Sequence, residues 1–154
     1  MIRTDKEYRK AIEKLEDEEK ILNAQKKHFI ELGHTGEELE RLMQPLLSFH
    51  EQLKEEVETY EQMKRGNLGV LMDFNQIGRW LIGVRIATGL SQKEFAKKIG
   101  VSEAQVSRDE NNEYHGITIE KAQRLLEILG VRFKAEIEEP PSFLNQKNDD
   151  FVYA

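Results

Sequence analysis

The first half of the chain carries two long stripes of apolar residues at helical spacing. Within residues 8–32 the apolar positions recur mainly three, four or seven apart, and residues 39–60 repeat the pattern. Such spacing places the apolar side chains on one face of a helix. The glycine-containing segment 33–36 separates the stripes, and so short a connection favours an antiparallel helical hairpin. This hairpin either closes a small core or serves as a dimerisation or partner-docking arm.

Local signals indicate where the two helices begin and where the second is disturbed. Thr4 with Glu7, and Thr35 with Glu38, have the spacing of capping boxes, in which both side chains satisfy backbone N–H groups at a helix start. Pro45 lies inside the second stripe, where it removes one backbone donor and clashes with the preceding turn. We therefore expect a kink or a restart of the helix there.

The second half of the chain is divided into short helices. Asn75, Ser91, Ser102 and Thr118 each stand where a helix N-cap is expected, ahead of apolar residues at helical spacing. Ser91 and Ser102 also open capping-box patterns. These signals predict four helices, over residues 75–88, 91–99, 102–111 and 118–129. Two short helices joined by a tight glycine turn form the helix-turn-helix pattern.

The sequence GLSQKEFAKKIGVSEAQVSR, residues 89–108, resembles the lambda-repressor-like (Xre) family of helix-turn-helix proteins. A serine-glutamine pair opens the second helix, Ala96 stands where the helices cross, and Gly-Val-Ser leads into Val-Ser-Arg. The resemblance covers roughly residues 76–131. It implies a DNA-binding fold whose third helix lies in the major groove, with Val101 and Val106 facing the core.

The resemblance also implies which residues meet DNA. In the third helix, Arg108 is placed to bind guanine, Gln105 adenine and Glu103 cytosine, while Ala104 suits a thymine methyl group. Residues at the start of the second helix, and those that follow the third, are candidates for phosphate contacts. The predicted DNA-binding residues are Ser91, Gln92, Lys93, Ser102, Glu103, Ala104, Gln105, Ser107, Arg108, Asn111, Asn112 and His115.

Less specific roles stay open for some of these residues. Glu103 suits the positive end of a helix dipole whether or not it meets a base. Arg108 could pair with Asp109 or Glu110 and never reach DNA. Asp109 departs from the family pattern, which usually has an apolar residue at this position. An early end of the helix, or a bond from a neighbouring donor, would accommodate it.

Residues 131–138 alternate between apolar and polar, which predicts a short strand. A single strand in a helical chain lacks a ladder partner, and an unpaired edge is a liability. Antiparallel pairing with the same strand of a second copy would supply the partner and the two-fold symmetry of a palindromic operator. The alternative is a short edge extension or a flexible tail.

Composition excludes several classes of protein. The chain has 154 residues and no cysteine, so it has no disulfide framework, no thiol nucleophile and no cysteine-based zinc site. No apolar run approaches the roughly 18 residues of a membrane span, and the N-terminus lacks the pattern of a signal peptide. The four histidines are scattered, and no catalytic motif is present. We expect no cofactor, no metal and no enzymatic activity.

Net charge argues against nucleic-acid binding until it is divided along the chain. The total is −6, from 23 basic and 29 acidic residues, whereas DNA-binding surfaces are basic. Residues 1–75 carry a net −5, residues 76–134 a net +3, and residues 135–154 a net −4. The one positive segment coincides with the helix-turn-helix pattern.

These observations predict a mainly all-α chain made of an N-terminal antiparallel helical hairpin, a lambda-repressor-like helix-turn-helix domain and one short C-terminal strand paired across a dimer. The predicted divisions are a hairpin at 1–65, a linker at 66–74, the DNA-binding domain at 75–131, the strand at 132–139 and a flexible tail at 140–154.

The predicted function is that of a cytoplasmic, homodimeric transcriptional repressor that binds a palindromic operator in double-stranded DNA. Xre relatives include antitoxins, and an acidic hairpin would suit capture of a basic protein toxin. The alternative is a protein-interaction adaptor that keeps the fold without strong DNA binding. The net charge and Glu103 in the reading turn favour this alternative.

Overall fold

The computed structural model describes residues 1–134, and this part of the chain is helical. A short 3-10 turn at Phe74–Gln76 precedes the third helix. None of the helices described is long and apolar enough to cross a membrane. The helices are α1 (Asp5–Glu31), α2 (Gly36–Lys64), α3 (Ile77–Ala87), α4 (Gln92–Ile99), α5 (Glu103–Asn111) and α6 (Ile119–Ile128).

The two long helices pair as a hairpin, but neither of their predicted capping boxes is complete, because Glu7 does not accept from the amide of the N-cap residue Thr4. The Thr4 hydroxyl oxygen accepts from the Glu7 amide at 3.2 Å, and Glu7 reaches back to the amide of Arg3. Thr35 makes no side-chain cap bond, so the prediction of a capping box at Thr35 is wrong. Pro45 lies inside a continuous α2, so the helix does not restart there. Since Pro45 is exposed, water can satisfy the carbonyl that has lost its partner.

Polar side chains join the two helices at the open end of the hairpin. The rings of Tyr8 and Tyr60 stack with their centroids 5.2 Å apart. The Tyr8 hydroxyl donates to Glu61 at 2.7 Å, and the Tyr60 hydroxyl donates to Asp5 at 2.8 Å. Hydrogen bonds from Tyr60 and from Lys64 hold the pKa of the Asp5 carboxyl below its usual value. The start of α1 is therefore fixed against the end of α2.

The hairpin and the short helices share one hydrophobic core. Buried side chains from the open end of the hairpin pack in the same cluster as those of α3, α4, α5 and α6. A hairpin of two helices has little interior of its own, so this packing supplies the apolar contacts that it lacks. The cluster includes Ile2, Ala11, Val57, Tyr60, Leu81, Ile82, Val84, Phe95, Val106, Leu125 and Leu126.

The boundaries of α3 and α6 differ in part from those expected. Asp73 caps the 3-10 turn by accepting from the amide of Asn75, so Asn75 lies within that turn and does not cap α3. Thr118 caps α6 as predicted, accepting from the amide of Lys121 at 3.2 Å.

The C-terminal strand is not formed in the residues that the structure describes. Residues 131–134 have no regular secondary structure, and the rest of the predicted strand and tail, 135–154, lies outside the described residues. The amide of Val131 bonds back to the Leu126 carbonyl across Gly130, whose φ is +73°, as in a Schellman-type helix end. Phe133 then lies near the ring of Phe74, at 6.2 Å between centroids. With no neighbouring strand in residues 1–134, this extension has no ladder to join.

Helix α3 approaches another backbone closely at Gly78. A Cβ atom at this position would lie 1.7 Å from the carbonyl oxygen of Glu113. Glu113 and Tyr114 have φ values of 48° and 52°, so the turn after α5 is left-handed where α3 meets it. Only glycine allows α3 and this turn to be so close.

An ion pair is buried at the centre of the short helices. Arg85 of α3 is 3 % exposed and Glu110 of α5 is 0 % exposed. Two parallel N–H···O bonds join them, with Nη2 2.8 Å from Oε2 and Nε to Oε1 as the second. The guanidinium also donates to the carbonyl oxygens of Leu90, at 2.7 Å, and Arg3, at 2.9 Å. Neither charge is left without a partner, which is the condition for burying an ion pair.

We expect Glu110→Ala to lower the free energy of unfolding by about 3–5 kcal/mol, because it leaves the buried guanidinium of Arg85 uncompensated. Urea denaturation followed by circular dichroism measures this loss. The matched control is Arg79→Ala, which breaks the exposed Arg79–Glu113 pair and should cost about 0–1 kcal/mol. Equal costs for the two variants would show that the buried pair does not hold the helices together.

Candidate nucleic-acid interface

Helices α4 and α5 are joined by the three-residue turn 100–102 and cross at a small side chain. Gly100 adopts a left-handed conformation, with φ 77°, and the amide of Val101 bonds to the carbonyl of Ala96 at 3.0 Å. Ala96 and Val106 are buried, as predicted, so the two helices pack closely. Val101 is 42 % exposed, so the prediction that it faces the core is wrong. The turn directs it outward because the left-handed glycine reverses the chain just before it.

Both helices begin with a capping serine, but only α4 has a complete capping box. Ser91 accepts from the Glu94 amide, and the Glu94 carboxylate accepts from the Ser91 amide at 2.9 Å and the Ser91 hydroxyl at 2.7 Å. These bonds hold the pKa of Glu94 below its usual value, so it stays an anion. Ser102 accepts from the Gln105 amide at 3.2 Å, but the side chain of Gln105 turns away from the helix start.

Most of the predicted DNA-binding residues are exposed on the surface formed by the start of α4, by α5 and by the residues after it. Three are half-buried, namely Gln92, Gln105 and Ser107. The exposed ones are Ser91, Lys93, Ser102, Glu103, Ala104, Arg108, Asn111, Asn112 and His115. Their contact with DNA stays a prediction.

Gln92 points inward and not toward the place where a phosphate is expected. Its side-chain amide donates to the buried Glu110 carboxylate at 2.8 Å. The side chain therefore secures the start of α4 to the end of α5. The main-chain N–H groups of Gln92 and Lys93 have no partner inside α4, because the first N–H groups of a helix lack one. A phosphate at this helix start would accept from these groups.

A line of hydrogen bonds along α5 holds Arg108. Its guanidinium donates to the Gln105 side-chain oxygen at 2.9 Å, and the Gln105 amide nitrogen donates to Asp109 at 2.7 Å. The Asp109 carboxylate also accepts from Lys121 of α6 at 3.0 Å. Asp109 is thus accommodated by neighbouring donors, the second of the two possibilities foreseen. In this arrangement Arg108 pairs with neither Asp109 nor Glu110.

This line of bonds affects the two residues best suited to read bases. Arg108 is exposed yet already oriented, so less side-chain entropy would be lost when it meets a guanine edge. Both ends of the Gln105 amide are engaged, which leaves one N–H and one lone pair free. Bidentate pairing of Gln105 with adenine would require it to exchange a bond with Arg108 or Asp109.

The sequence interpretation missed Arg85 and Glu110, which position this surface without lying on it. A signal was available for both. Glu110 follows the core residue Val106 by four positions, and Arg85 lies among the apolar residues of α3, so each stands on a buried stripe. A charged residue on such a stripe indicates a partner in the core.

The described side chains form no candidate metal-binding site. No group of three or more His, Cys, Asp or Glu residues in the range 1–134 is arranged to hold a metal ion.

Comparison with known protein families matches residues 81–134 to the family described as Helix-turn-helix. No curated protein and no solved structure gave a significant match. The matched range contains the crossing helices, the buried ion pair and the exposed surface of α5. Residues 81–134 are therefore a helix-turn-helix domain, and the match supports the resemblance to the lambda-repressor-like (Xre) family.

Proposed function

We propose that this protein is a sequence-specific transcriptional regulator, acting as a dimeric repressor that places α5 in the major groove of operator DNA. The observation that carries the proposal is the exposed surface of α5, on which Arg108 is held in a defined orientation by Gln105. A helix-turn-helix places its second helix in the major groove, with the first residues of that helix at the base edges.

The base contacts follow from the side chains on that surface. Arg108 has the planar donor pair that matches the O6 and N7 acceptors of guanine. Ala104 is exposed and suits the methyl group of thymine, and Glu103 can accept from the amino group of cytosine.

Phosphate contacts would come from residues beside α5. Lys93 is exposed in the first turn of α4, and Asn111, Asn112 and His115 are exposed at the end of α5 and in the loop after it. Contacts of this kind fix the position of the protein on the duplex and carry no sequence information directly.

A dimer is part of the proposal because palindromic operators present two half-sites. Support comes from an apolar groove beside α6, where Ile119 is 79 % exposed and Phe74 68 % exposed, next to Phe133. Single exposed apolar residues are normal, but a contiguous group marks a surface that another molecule covers. We assign the groove to the equivalent surface of a second copy.

A second candidate function adds capture of a basic protein, as in a toxin–antitoxin pair. The hairpin beyond its open end is acidic, with 5 basic and 10 acidic residues between 11 and 53. Between its helices, Ile21, Leu46 and Phe49 line an apolar groove, and Phe49 is 70 % exposed. Charge complementarity would steer a basic partner to this surface. A reading frame for a small basic protein beside the gene would favour this function.

Salt dependence separates a regulator from an adaptor without DNA affinity. Fluorescence anisotropy with DNA from upstream of the gene should show binding at low salt that weakens steeply as salt rises, by about 0.9 in log–log slope for each phosphate contact. Absence of binding at low salt would contradict the proposed function and favour the adaptor.

Arg108→Ala should weaken binding to the cognate site by about 1–3 kcal/mol and relax the preference at one base pair. Titrations on the cognate site and on single-base variants measure both effects. The control is Lys98→Ala, which removes an exposed lysine in the last turn of α4 that is not among the predicted DNA-binding residues. Equal weakening by Arg108→Ala on cognate and random DNA would place Arg108 on a phosphate.

Sedimentation equilibrium at micromolar concentration should give twice the mass of one chain, and Ile119→Ser should shift the protein to one chain because it removes apolar contact area. Leu32→Ser is the matched control, since Leu32 is also exposed but lies at the far end of the hairpin. A wild-type mass of one chain would contradict the dimer.

A further inference from the structure

The beginnings of three helices meet at one cleft between the hairpin and the helix-turn-helix domain. The cleft is lined by Lys6 and Lys10 of α1, by Ser91 and Gln92 at the start of α4, and by Glu103 at the start of α5. The last three belong to the predicted DNA-binding residues. The first turns of α1 therefore lie beside the surface proposed to face DNA.

We propose that Lys6 and Lys10 bind the phosphate backbone of operator DNA, on the flank of the region that α4 and α5 contact. The inference rests on the proposed function and extends it, because it assigns DNA contacts to the hairpin. The ligand is a pair of backbone phosphates, so these contacts add affinity and position without reading bases.

Three of the four acidic side chains that line the cleft are already engaged within the protein. The Asp5 carboxylate accepts from Tyr60 and forms an ion pair with Lys64 at 3.1 Å. Glu7 accepts from the amide of Arg3, and Glu94 accepts from the capping serine of α4.

The two lysines differ from these acids in having no internal partner. Lys6 and Lys10 are exposed, and neither forms an ion pair or hydrogen bond with any residue in the range 1–134. Their spacing of four places both on one face of α1. Of the acids that line the cleft, only Glu103 keeps its carboxylate free among the residues described. The cleft thus presents two unneutralised ammonium groups to a ligand.

The distribution of charge along α1 also favours contact between its first residues and DNA. Residues 1–10 contain four basic and two acidic residues, although residues 1–75 have a net charge of −5. The basic segment is the start of α1, at the open end that packs against the helix-turn-helix domain, whereas residues 55–65 around the end of α2, at the same end, have four acidic and two basic residues. An attraction between the start of α1 and DNA would turn this side of the hairpin toward the duplex.

The start of α1 is also held in a fixed position relative to α5. The main-chain oxygen of Arg3 accepts from Arg85, and the Arg3 side chain donates to the main-chain oxygen of Glu110 at 3.2 Å. Ile2 is buried in the shared core. Lys6 follows three residues after Arg3, so its position is set by the same contacts that fix α5. Phosphate contacts from α1 and base contacts from α5 can therefore form together.

The test compares the salt dependence of operator binding by the wild-type protein and by the double variant Lys6→Ala/Lys10→Ala. In the proposed dimer the double variant loses four phosphate contacts, two from each protomer, and this should reduce the magnitude of the log–log salt slope by about 3.6. Hydroxyl-radical footprinting should show lost protection at backbone positions flanking the site, with the central protection retained. The thermal midpoint of unfolding should stay the same, because both side chains are exposed and unpaired.

The matched control is Lys26→Ala/Lys54→Ala, which removes the same charge from two exposed hairpin lysines that also have no partner in the described residues. Its salt slope should equal that of the wild type. An unchanged slope in Lys6→Ala/Lys10→Ala, or an equal loss in both double variants, would overturn the inference and leave the proposed function intact. Failure of the wild-type protein to bind DNA would overturn the proposed function itself.

Discussion

The bidentate bond between Arg85 and Glu110 is the interaction on which the arrangement of the other elements depends. Two buried charges are costly to remove from water, and this cost is offset by four hydrogen bonds from the guanidinium and by the further bond from Gln92 to the carboxylate. Its partners come from the residues before α1, from the turn before α4 and from the first residue of α4. These three parts of the chain are thereby held in one geometry with α3 and α5, which carry the two side chains.

That geometry connects the two halves of the protein. Hydrophobic packing alone would allow the hairpin to slide or rotate on the short helices, because apolar contacts have little directional preference. Hydrogen bonds donated by a planar guanidinium specify direction as well as distance. The start of α1 therefore has a defined position relative to α5, although the two are more than one hundred residues apart in the chain.

Features that depend on neighbouring residues could be predicted from the sequence, and those that depend on distant ones could not. The helices follow from apolar spacing, and the caps at Thr4, Ser91, Ser102 and Thr118 follow from short local patterns. Thr35 is also followed three residues later by a glutamate, as Thr4 is, yet no cap bond forms at Thr35. The exposed residues of α5 could be placed by helical register. The inward turn of Gln92 could not be, because its partner lies eighteen residues away.

The close approach at Gly78 has a consequence for the interface itself. The helix on one side of this contact carries none of the predicted DNA-binding residues, whereas the turn on the other side lies between two of them, Asn112 and His115. A side chain at position 78 would have to displace that turn, since a backbone carbonyl cannot rotate away as the end of a long side chain can. Helix α3 thus supports the loop after α5 through the contact at Gly78. The conformation of this loop therefore depends on its contact with α3 as well as on its own residues.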